Sequence, residues 1–292
     1  MSKEKKILVT GSHGQLGREF MAVAAAFPAF QFVFTTRAEL DIRLQHHALE
    51  MLNELKPAAV INCAAYTNVE LAETEQEEAY EGNALGAKYL AEACGACDAL
   101  LIHFSTDYVF DGKKKSAYRE TDNANPLNVY GETKLQGERF IDEILRRYFI
   151  IRASWLYSTY GHNFYKTMLR LAQERGELHV VNDQVASPTY ARTLAQDVMK
   201  LLTKTILKQE HTNYGLYHYA QHGEASWHRF ASDIVRQHNI DVKVHAVGTT
   251  HFHTRAVRPT YSKLNAAKFE SLLGHPLNSW EEGLAACIAE EY

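Results

Sequence analysis

The chain has 292 residues, 46% of them hydrophobic and 23% charged, which excludes collagen-like, low-complexity and intrinsically disordered chains and leaves material for one large domain or two modest ones. Thirty-one Lys and Arg against 35 Asp and Glu give a formal net charge of −4, a poor basis for gripping nucleic acid or an anionic membrane by bulk charge. No run of 18 apolar residues is present and the charged start Met1-Ser2-Lys3-Glu4-Lys5-Lys6 lacks the apolar core of a secretory signal, so we expect no membrane partner, no nucleic-acid partner and a cytoplasmic location.

Periodicity predicts strands and helices in alternation, the pattern of βαβ units and a parallel sheet. The β-branched run Lys5–Thr10 reads as a strand, followed by a glycine turn and an apolar helix over Leu16–Ala26. A second strand is expected over Gln31–Thr36, a helix over Ala48–Lys56 stopped by Pro57, and a third strand over Ala58–Asn62. A long helix over Glu75–Cys94 leads to a strand over Ala99–Ser105. After the polar loop Asp111–Asn128 come a helix over Tyr130–Arg147 and a strand over Tyr148–Ala153. Beyond Trp155 the regularity weakens: helices are expected over Phe164–Arg175, Tyr190–Lys204, Trp227–Gln237 and near Trp280–Glu290, with a strand over Leu216–Tyr219.

The cysteines, Cys63, Cys94, Cys97 and Cys287, are too few and scattered for a disulfide framework. Cys94-Gly-Ala-Cys97 closes an Ala-rich helix and has no second pair with which to hold zinc. The histidine-rich stretches His211–His222 and His251-Phe252-His253 place no His pair on a helix with an acidic partner, so no catalytic metal is expected.

Thr10-Gly11-Ser12-His13-Gly14-Gln15-Leu16-Gly17 lies between the first strand and first helix. Gly11 permits the tight turn, Gly14 lets backbone approach a pyrophosphate, and Gly17 allows close helix–strand packing, while the helix N-terminus offers free N–H groups to the anion. The spacing is G-x-x-G-x-x-G, weak alone and informative between a strand and a helix. The second strand ends Thr35-Thr36-Arg37 with no acid until Glu39; a base there favours NADPH, with NADH the alternative, and an ordinary surface arginine is the plain reading.

Tyr130-Gly-Glu-Thr-Lys134 sets a phenol and an ammonium one helical turn apart, downstream of Ser105-Thr106-Asp107-Tyr108 at the carboxyl end of the fourth strand. Ligands of open α/β sheets bind at that edge. Ketone reduction builds alkoxide charge that needs a proton donor and a hydrogen-bond clamp. Lys134 and a positive nicotinamide are expected to lower the Tyr130 pKa from about 10, and Thr106 to hold the substrate oxygen. The competing reading makes Tyr130 a half-buried helix residue and Thr106 a cap.

These residues resemble the extended short-chain dehydrogenase/reductase family, and within it the branch that completes dTDP-L-rhamnose synthesis. The likeness runs through the glycine turn, Leu40-Asp41-Ile42, Val60-Ile61-Asn62-Cys63-Ala64-Ala65-Tyr66-Thr67, Ser105–Phe110, Asn125–Lys134, Arg152–Tyr157, Asn182-Asp183-Gln184, Pro188-Thr189 and Arg258-Pro259. It implies an α/β fold with a Rossmann-type doubly wound parallel sheet and a smaller, interleaved C-terminal substrate-binding domain. The NADP-binding domain would span residues 1–155, with segments near 180–220 returning to it, and residues 156–292 would be mainly the substrate-binding domain. Thr106, Tyr130 and Lys134 would be catalytic. The cofactor would lie against Gly11, His13, Gly14, Gln15, Leu16, Arg37, Asp41, Ile42, Ala64, Ala65, Tyr66, Tyr130 and Lys134. Thr106, Asp107, Tyr108, Trp155 and Arg258 would meet the nucleotide sugar, Trp155 being otherwise a core residue. The implied reaction is NAD(P)H-dependent reduction of the 4-keto group of dTDP-4-dehydro-6-deoxy-L-mannose, with Tyr130 giving the proton.

Two departures bear on this. Some members bridge a dimer through magnesium held by glutamates; Glu19 matches one such position but Arg192 stands at another, which argues against a magnesium-bridged dimer and leaves monomer or homodimer open. Val69-Glu70-Leu71-Ala72-Glu73 also lacks the lysine usual near the substrate. Tyr108 stands where related dehydratases carry Glu, which favours a plain reductase. A reductase or epimerase for another nucleotide deoxysugar remains open, as does a non-catalytic NADP-binding regulatory subunit of the kind that serves methionine adenosyltransferase.

Overall fold

The structure, a computed structural model, describes residues 5–210 and 213–291; His211, at the edge of one histidine-rich stretch, lies outside them. The first half alternates as the periodicity requires: β1 (Lys5–Thr10), α1 (Gln15–Val23), β2 (Phe30–Thr35), α2 (Gln45–Leu55), β3 (Ala59–Asn62), the short α3 (Val69–Ala72) and α4 (Gln76–Tyr80), α5 (Gly86–Cys97), β4 (Leu100–Thr106), α6 (Val129–Ile144) and β5 (Tyr148–Ala153). The second half contains β6 (Leu156–Tyr157), α7 (Phe164–Glu174), β7 (Glu177–Val181), β8 (Val185–Ala186), β9 (Thr189–Tyr190), α8 (Ala191–Leu202), β10 (Gly215–Tyr219), β11 (Ala225–Ser226), α9 (Trp227–Gln237), β12 (Lys243–Val247), α10 (Ala267–Leu273) and α11 (Trp280–Ala289).

Six strands form one parallel sheet in the order β2-β1-β3-β4-β5-β10. Their continuous apolar runs, such as Ile7-Leu8-Val9 and Leu100-Leu101-Ile102, are fully buried because helices cover both faces. One face packs Phe20 of α1, Leu194 and Val198 of α8 and Phe269 of α10; the other packs Leu52 of α2, Leu90 of α5 and Ile141 of α6. The order reverses between β1 and β3, and the cleft of a doubly wound sheet opens at such a switch point. This is the Rossmann-type α/β architecture the sequence implied. The late segments α8 and β10 belong to it, β10 pairing in register with β5 from Gly215–Phe149 to Tyr219–Ala153.

A separate apolar cluster joins Tyr157, Tyr165, Tyr190, Phe230 and Trp280. It lies under α7, α9 and α11 and the two-stranded β7–β12 pair, whose register runs from Glu177–Lys243 to Val181–Val247. Ser279 and Glu282 close a capping box at the start of α11.

The expected long helix Glu75–Cys94 is present as a continuous helical run, but not as a uniform α-helix. Between α4 and α5 the chain makes one π turn, Glu81–Leu85, of the kind often found at functional sites. The buried Asn83 in that turn accepts from Tyr66 N–H at 2.9 Å and donates to Tyr66 O at 3.0 Å and Thr133 Oγ1 at 3.2 Å. Glu19 is fully buried, accepting from Ser158 and Arg192, and Arg192 reaches on to Glu290 at 2.8 Å. Burial raises the Glu19 pKa, and the arginine beside it opposes that rise. All four cysteines are free.

Candidate active site

A cleft of about 1550 Å3 opens over the carboxyl ends of β1, β3 and β4 and is walled on its far side by Asn163, Phe164, Thr167 and Met168 at the start of α7, by Gln184 and Trp227, and by Phe252, Thr254 and Arg258. That exceeds the volume of an ordinary small-ligand pocket and suits two extended ligands end to end.

The glycine turn builds one end. Gly11 has φ +63°, and a Cβ there would stand 2.7 Å from Ala64 N; a Cβ on Gly17 would stand 2.6 Å from Ser12 Cα. Glycine is therefore required at both. Gly14 N–H donates to Gly11 O at 2.9 Å, and Gly14 caps α1 with no side chain over the helix end. The first N–H groups of α1 thus face the cleft with the positive end of the helix dipole, a cradle suited to a pyrophosphate.

Arg37, Asp41 and Arg43 line the same end. Arg43 Nη2 lies 2.6 Å from Asp41 Oδ2, and the more exposed Arg37 Nε lies 3.4 Å away. Hydrogen bonds from Arg43 hold the Asp41 carboxyl down at about 2. Arg43 also reaches Glu81 Oε2 at 3.7 Å, so Arg37, which is the more exposed cation, is the freer of the two to meet a phosphate. Ala64, Ala65 and Tyr66 form the cleft floor beyond β3. The Tyr66 hydroxyl donates to Glu75 Oε2 at 2.5 Å, and burial with that carboxylate pushes it up to about 12.

The central part is set by β4 and α6. Asn128 caps α6, accepting from Gly131 N–H at 2.8 Å, and Glu73 accepts from Val129 N–H at 2.9 Å, so the helix starts immediately before Tyr130. Gly131 permits contact with β4's extension, since a Cβ there would stand 2.9 Å from Tyr108 C. The Thr106 hydroxyl stands beside the Tyr130 phenol and favours its ionised form, and the Tyr130 and Tyr108 rings meet edge to face at 6.1 Å. Thr106 Oγ1 accepts from Tyr108 N–H at 3.1 Å and lies 3.3 Å from Asp107 Oδ1. Asp107 is buried and takes a second hydrogen bond from Ser262; burial raises it to about 7. Lys134 Nζ donates to Phe104 O at 2.5 Å.

Burial dominates both members of the Tyr–Lys pair, pushing Tyr130 up to about 12 and Lys134 down to about 8. The expected lowering of Tyr130 is thus not met by the protein alone: desolvation of a phenolate dominates, and the Asp107 carboxylate adds to it. A phenol that keeps its proton at neutral pH is the form a ketone reduction needs.

On the far wall, Arg258 Nη2 lies 2.5 Å from Glu70 Oε1, and its charge bears on the Tyr108 hydroxyl. Arg255 N–H donates to Glu70 Oε2 at 2.8 Å, so Glu70 ties this segment to α3. Trp155, held at φ +46°, stacks on Trp227 with centroids 3.4 Å apart and a 6° tilt. Trp227 Nε1 donates to Gln184 Oε1 at 3.2 Å.

The cleft therefore brings together Gly11, His13, Gly14, Gln15, Leu16, Arg37, Asp41, Ile42, Ala64, Ala65, Tyr66, Tyr108, Tyr130, Lys134 and Arg258. Thr106, Asp107 and Trp155 are not in its wall: Thr106 reaches it through Tyr130, Asp107 is enclosed by Thr106 and Ser262, and Trp227 presents the aromatic face in place of Trp155. Sequence reasoning missed Arg43, whose signal was a second base within six residues of Arg37. It also missed Trp227, which carries no local signal, and gave no site role to Gln184 or Glu70, although both lie in segments that carry the resemblance or depart from it. Ser105 Oγ is buried at the cleft with no hydrogen-bond partner among the described residues, a group suited to meeting a ligand. Among the described residues no cluster of His, Cys, Asp or Glu fits a metal ion, and no helix is long and apolar enough to cross a membrane.

Residues 5–292 match the family model described as RmlD substrate binding domain. The dTDP-4-dehydrorhamnose reductase of Aggregatibacter actinomycetemcomitans is 37% identical over 286 residues, covering 96% of this chain and 97% of its own. That of Escherichia coli (strain K12) is 38% identical, covering 97% of each. The crystal structure of dTDP-4-dehydrorhamnose reductase from Bacillus anthracis in complex with NADP is 38% identical and superposes with a TM-score of 0.93 over 99% of this chain and 100% of that one.

Proposed function

This chain belongs to the RmlD substrate binding domain family, and on that premise we propose that it is an NADPH-dependent dTDP-4-dehydrorhamnose reductase, converting dTDP-4-dehydro-6-deoxy-L-mannose to dTDP-L-rhamnose. Relatives of that name match it end to end, and one holds NADP. The observation within the site that carries the reading is the placement of Tyr130 and Lys134 together in the cleft wall, with Tyr130 beside Thr106 at the carboxyl end of β4.

NADPH, when bound, supplies the hydride. The open N-terminus of α1 and Gly11–Leu16 would receive its pyrophosphate, and Arg37 and Arg43 its 2′-phosphate. Lys134, anchored on Phe104 O, keeps its remaining N–H groups for the cleft, where a ribose would lie. Tyr130 holds its proton at neutral pH and gives it to the sugar oxygen as negative charge develops there. Thr106, with one lone pair taken by Tyr108 N–H, is left to orient that transfer. Arg258 supplies a cation to the diphosphate of the sugar nucleotide and would leave Glu70 to do so.

The purified chain should oxidise NADPH when given dTDP-4-dehydro-6-deoxy-L-mannose. Tyr130→Phe should lower kcat by roughly 10²–10⁴-fold with NADPH affinity retained. Equal inactivity of wild type and variant, with NADPH bound by both, would overturn the reductase reading in favour of a binding subunit.

A further inference from the structure

Behind the cleft floor four buried side chains form a row across the sheet: Thr10 ends β1, Asn62 ends β3, His103 lies in β4, and Lys134 reaches down from α6. None is more than 3% exposed. Thr10 Oγ1 donates to Asn62 Oδ1 at 2.7 Å, and Ala64 N–H donates to the same oxygen at 3.2 Å. A backbone N–H can only donate, so this end of the Asn62 amide is the oxygen and the other is Nδ2. Nδ2 stands 3.0 Å from His103 Nδ1, and since Nδ2 also only donates, Nδ1 must be the bare nitrogen. The single proton of the neutral ring is then on Nε2, 3.5 Å from Lys134 Nζ. A second ring proton would have to sit on Nδ1, against the Asn62 amide, so the ring is confined to one neutral tautomer.

Lys134 as an ammonium has protons and no lone pair, so at His103 Nε2 it meets a second donor. Phe104 O, at 2.5 Å, is the acceptor it does find. We propose that His103 is a positioning residue for Lys134: its Nε2–H, locked in place by Thr10, Asn62 and Ala64, denies the ammonium an acceptor at the ring and turns its protons toward the neighbouring carbonyl, Phe104 O, and the cleft. The same opposition makes the amine easier to deprotonate, in the direction burial already drives it. The charged groups bearing on Lys134 are Glu138 on its own helix, which works the other way, and Arg152 of β5, which pairs with Glu138 at 2.6 Å. Tyr130, one turn earlier on α6, holds its proton and stays neutral. Ala64 lines the cleft, so hydrogen bonds join the cofactor-facing floor to His103, and the last step, from His103 to the lysine, is a contact between two donors. The proposal rests on the reductase reading only for its activity readout.

Two measurements test it without turnover. In the wild type, the 15N resonances of His103 should show Nδ1 bare and Nε2 protonated from pH 5 to 8; the opposite tautomer, or a protonated ring, would overturn the proposal. The 13Cε resonance of Lys134, assigned by its loss in Lys134→Met, should titrate about one unit higher in His103→Gln, whose amide oxygen can accept from the ammonium, a tenfold tighter hold on the proton. His103→Asn keeps an acceptor for Asn62 and should move it upward less. An unmoved or lowered Lys134 titration in folded variants would overturn the proposal even if kcat fell, because lost packing alone lowers activity without moving that titration. With substrate, the alkaline limb of the rate profile should follow the Lys134 shift; a shifted titration in His103→Gln, together with a wild type that turns over nothing, would leave this role standing and sink the reductase reading.

Discussion

Asn128 donates its side-chain amide to Val257 O at 2.8 Å while its oxygen caps the helix that carries Tyr130. One side chain thus fixes both the start of α6 and the residue before Arg258. Asn128→Ala should remove a cap worth about 1 kcal/mol, lowering Tm by about 2–4 °C, and should raise KM for the nucleotide sugar several-fold more than it lowers kcat. Asn128→Asp restores the cap but not the bond to Val257, so Tm should recover while KM stays high. Thermal scans and steady-state kinetics on the two variants separate the effects.

The enclosed carboxyl of Asp107 makes stability depend on pH. Its folded value of about 7 stands above the ordinary 3.8, so the folded chain holds this proton more tightly than the unfolded one. The stabilisation is fully present below about pH 4 and is lost as pH rises through 7, on the order of 4 kcal/mol in all. Asp107→Asn cannot ionise, so urea-denaturation free energies should fall less steeply between pH 5 and 8 than in the wild type. Parallel slopes would show that Asp107 is already ionised across that range.

Arg37 and Arg43 stand on either side of Asp41. Arg37→Ala should weaken NADPH binding roughly tenfold, the scale of one charged hydrogen bond, and leave NADH nearly unchanged. Arg43→Ala also frees Asp41, whose carboxylate would repel a 2′-phosphate, so the NADPH loss should be larger. Fluorescence titrations with both cofactors measure this; equal affinities in the wild type would remove phosphate recognition from these arginines.

The Trp155–Trp227 stack gives a contrast between neighbours. Trp227 lines the cleft and Trp155 supports it from behind. Trp227→Leu should raise KM for the sugar nucleotide about tenfold, since an aromatic pair is worth about 0.5–1.5 kcal/mol beyond its area. Trp155→Leu should have a smaller effect on KM and a larger one on Tm. The reverse ranking would place Trp155 against the ligand.

Local features of the sequence were the readable ones. The turn from Thr10 to Gly17 is legible because strand, glycines and helix follow within a few residues, and Tyr130 and Lys134 because their spacing is a helical turn. The π turn at Glu81–Leu85 is not, since apolar spacing continues through it and its cause, Asn83 bonding Tyr66 and Thr133, is tertiary. Strands β7 and β12 escaped notice because each is short and half-exposed, with histidines on its open face, and is a strand only by virtue of the other. Glu70 with Arg258, and Asp107 with Ser262, are pairs from opposite ends of the chain that no window contains.

The pairing of β10 with β5 bears on how this protein is made. A ribosome that has released residues 1–155 has supplied five strands whose outer edge, at β5, is still bare; its cover emerges only after the aromatic-rich stretch 156–190. Until residue 219 is out, the nascent chain carries an open strand edge of the kind that invites pairing with other chains. No single cut would divide this polypeptide into two self-sufficient halves. A fragment ending at 155 is expected to aggregate, whereas co-expressing it with the remainder should rescue it to the extent that β10 can still dock.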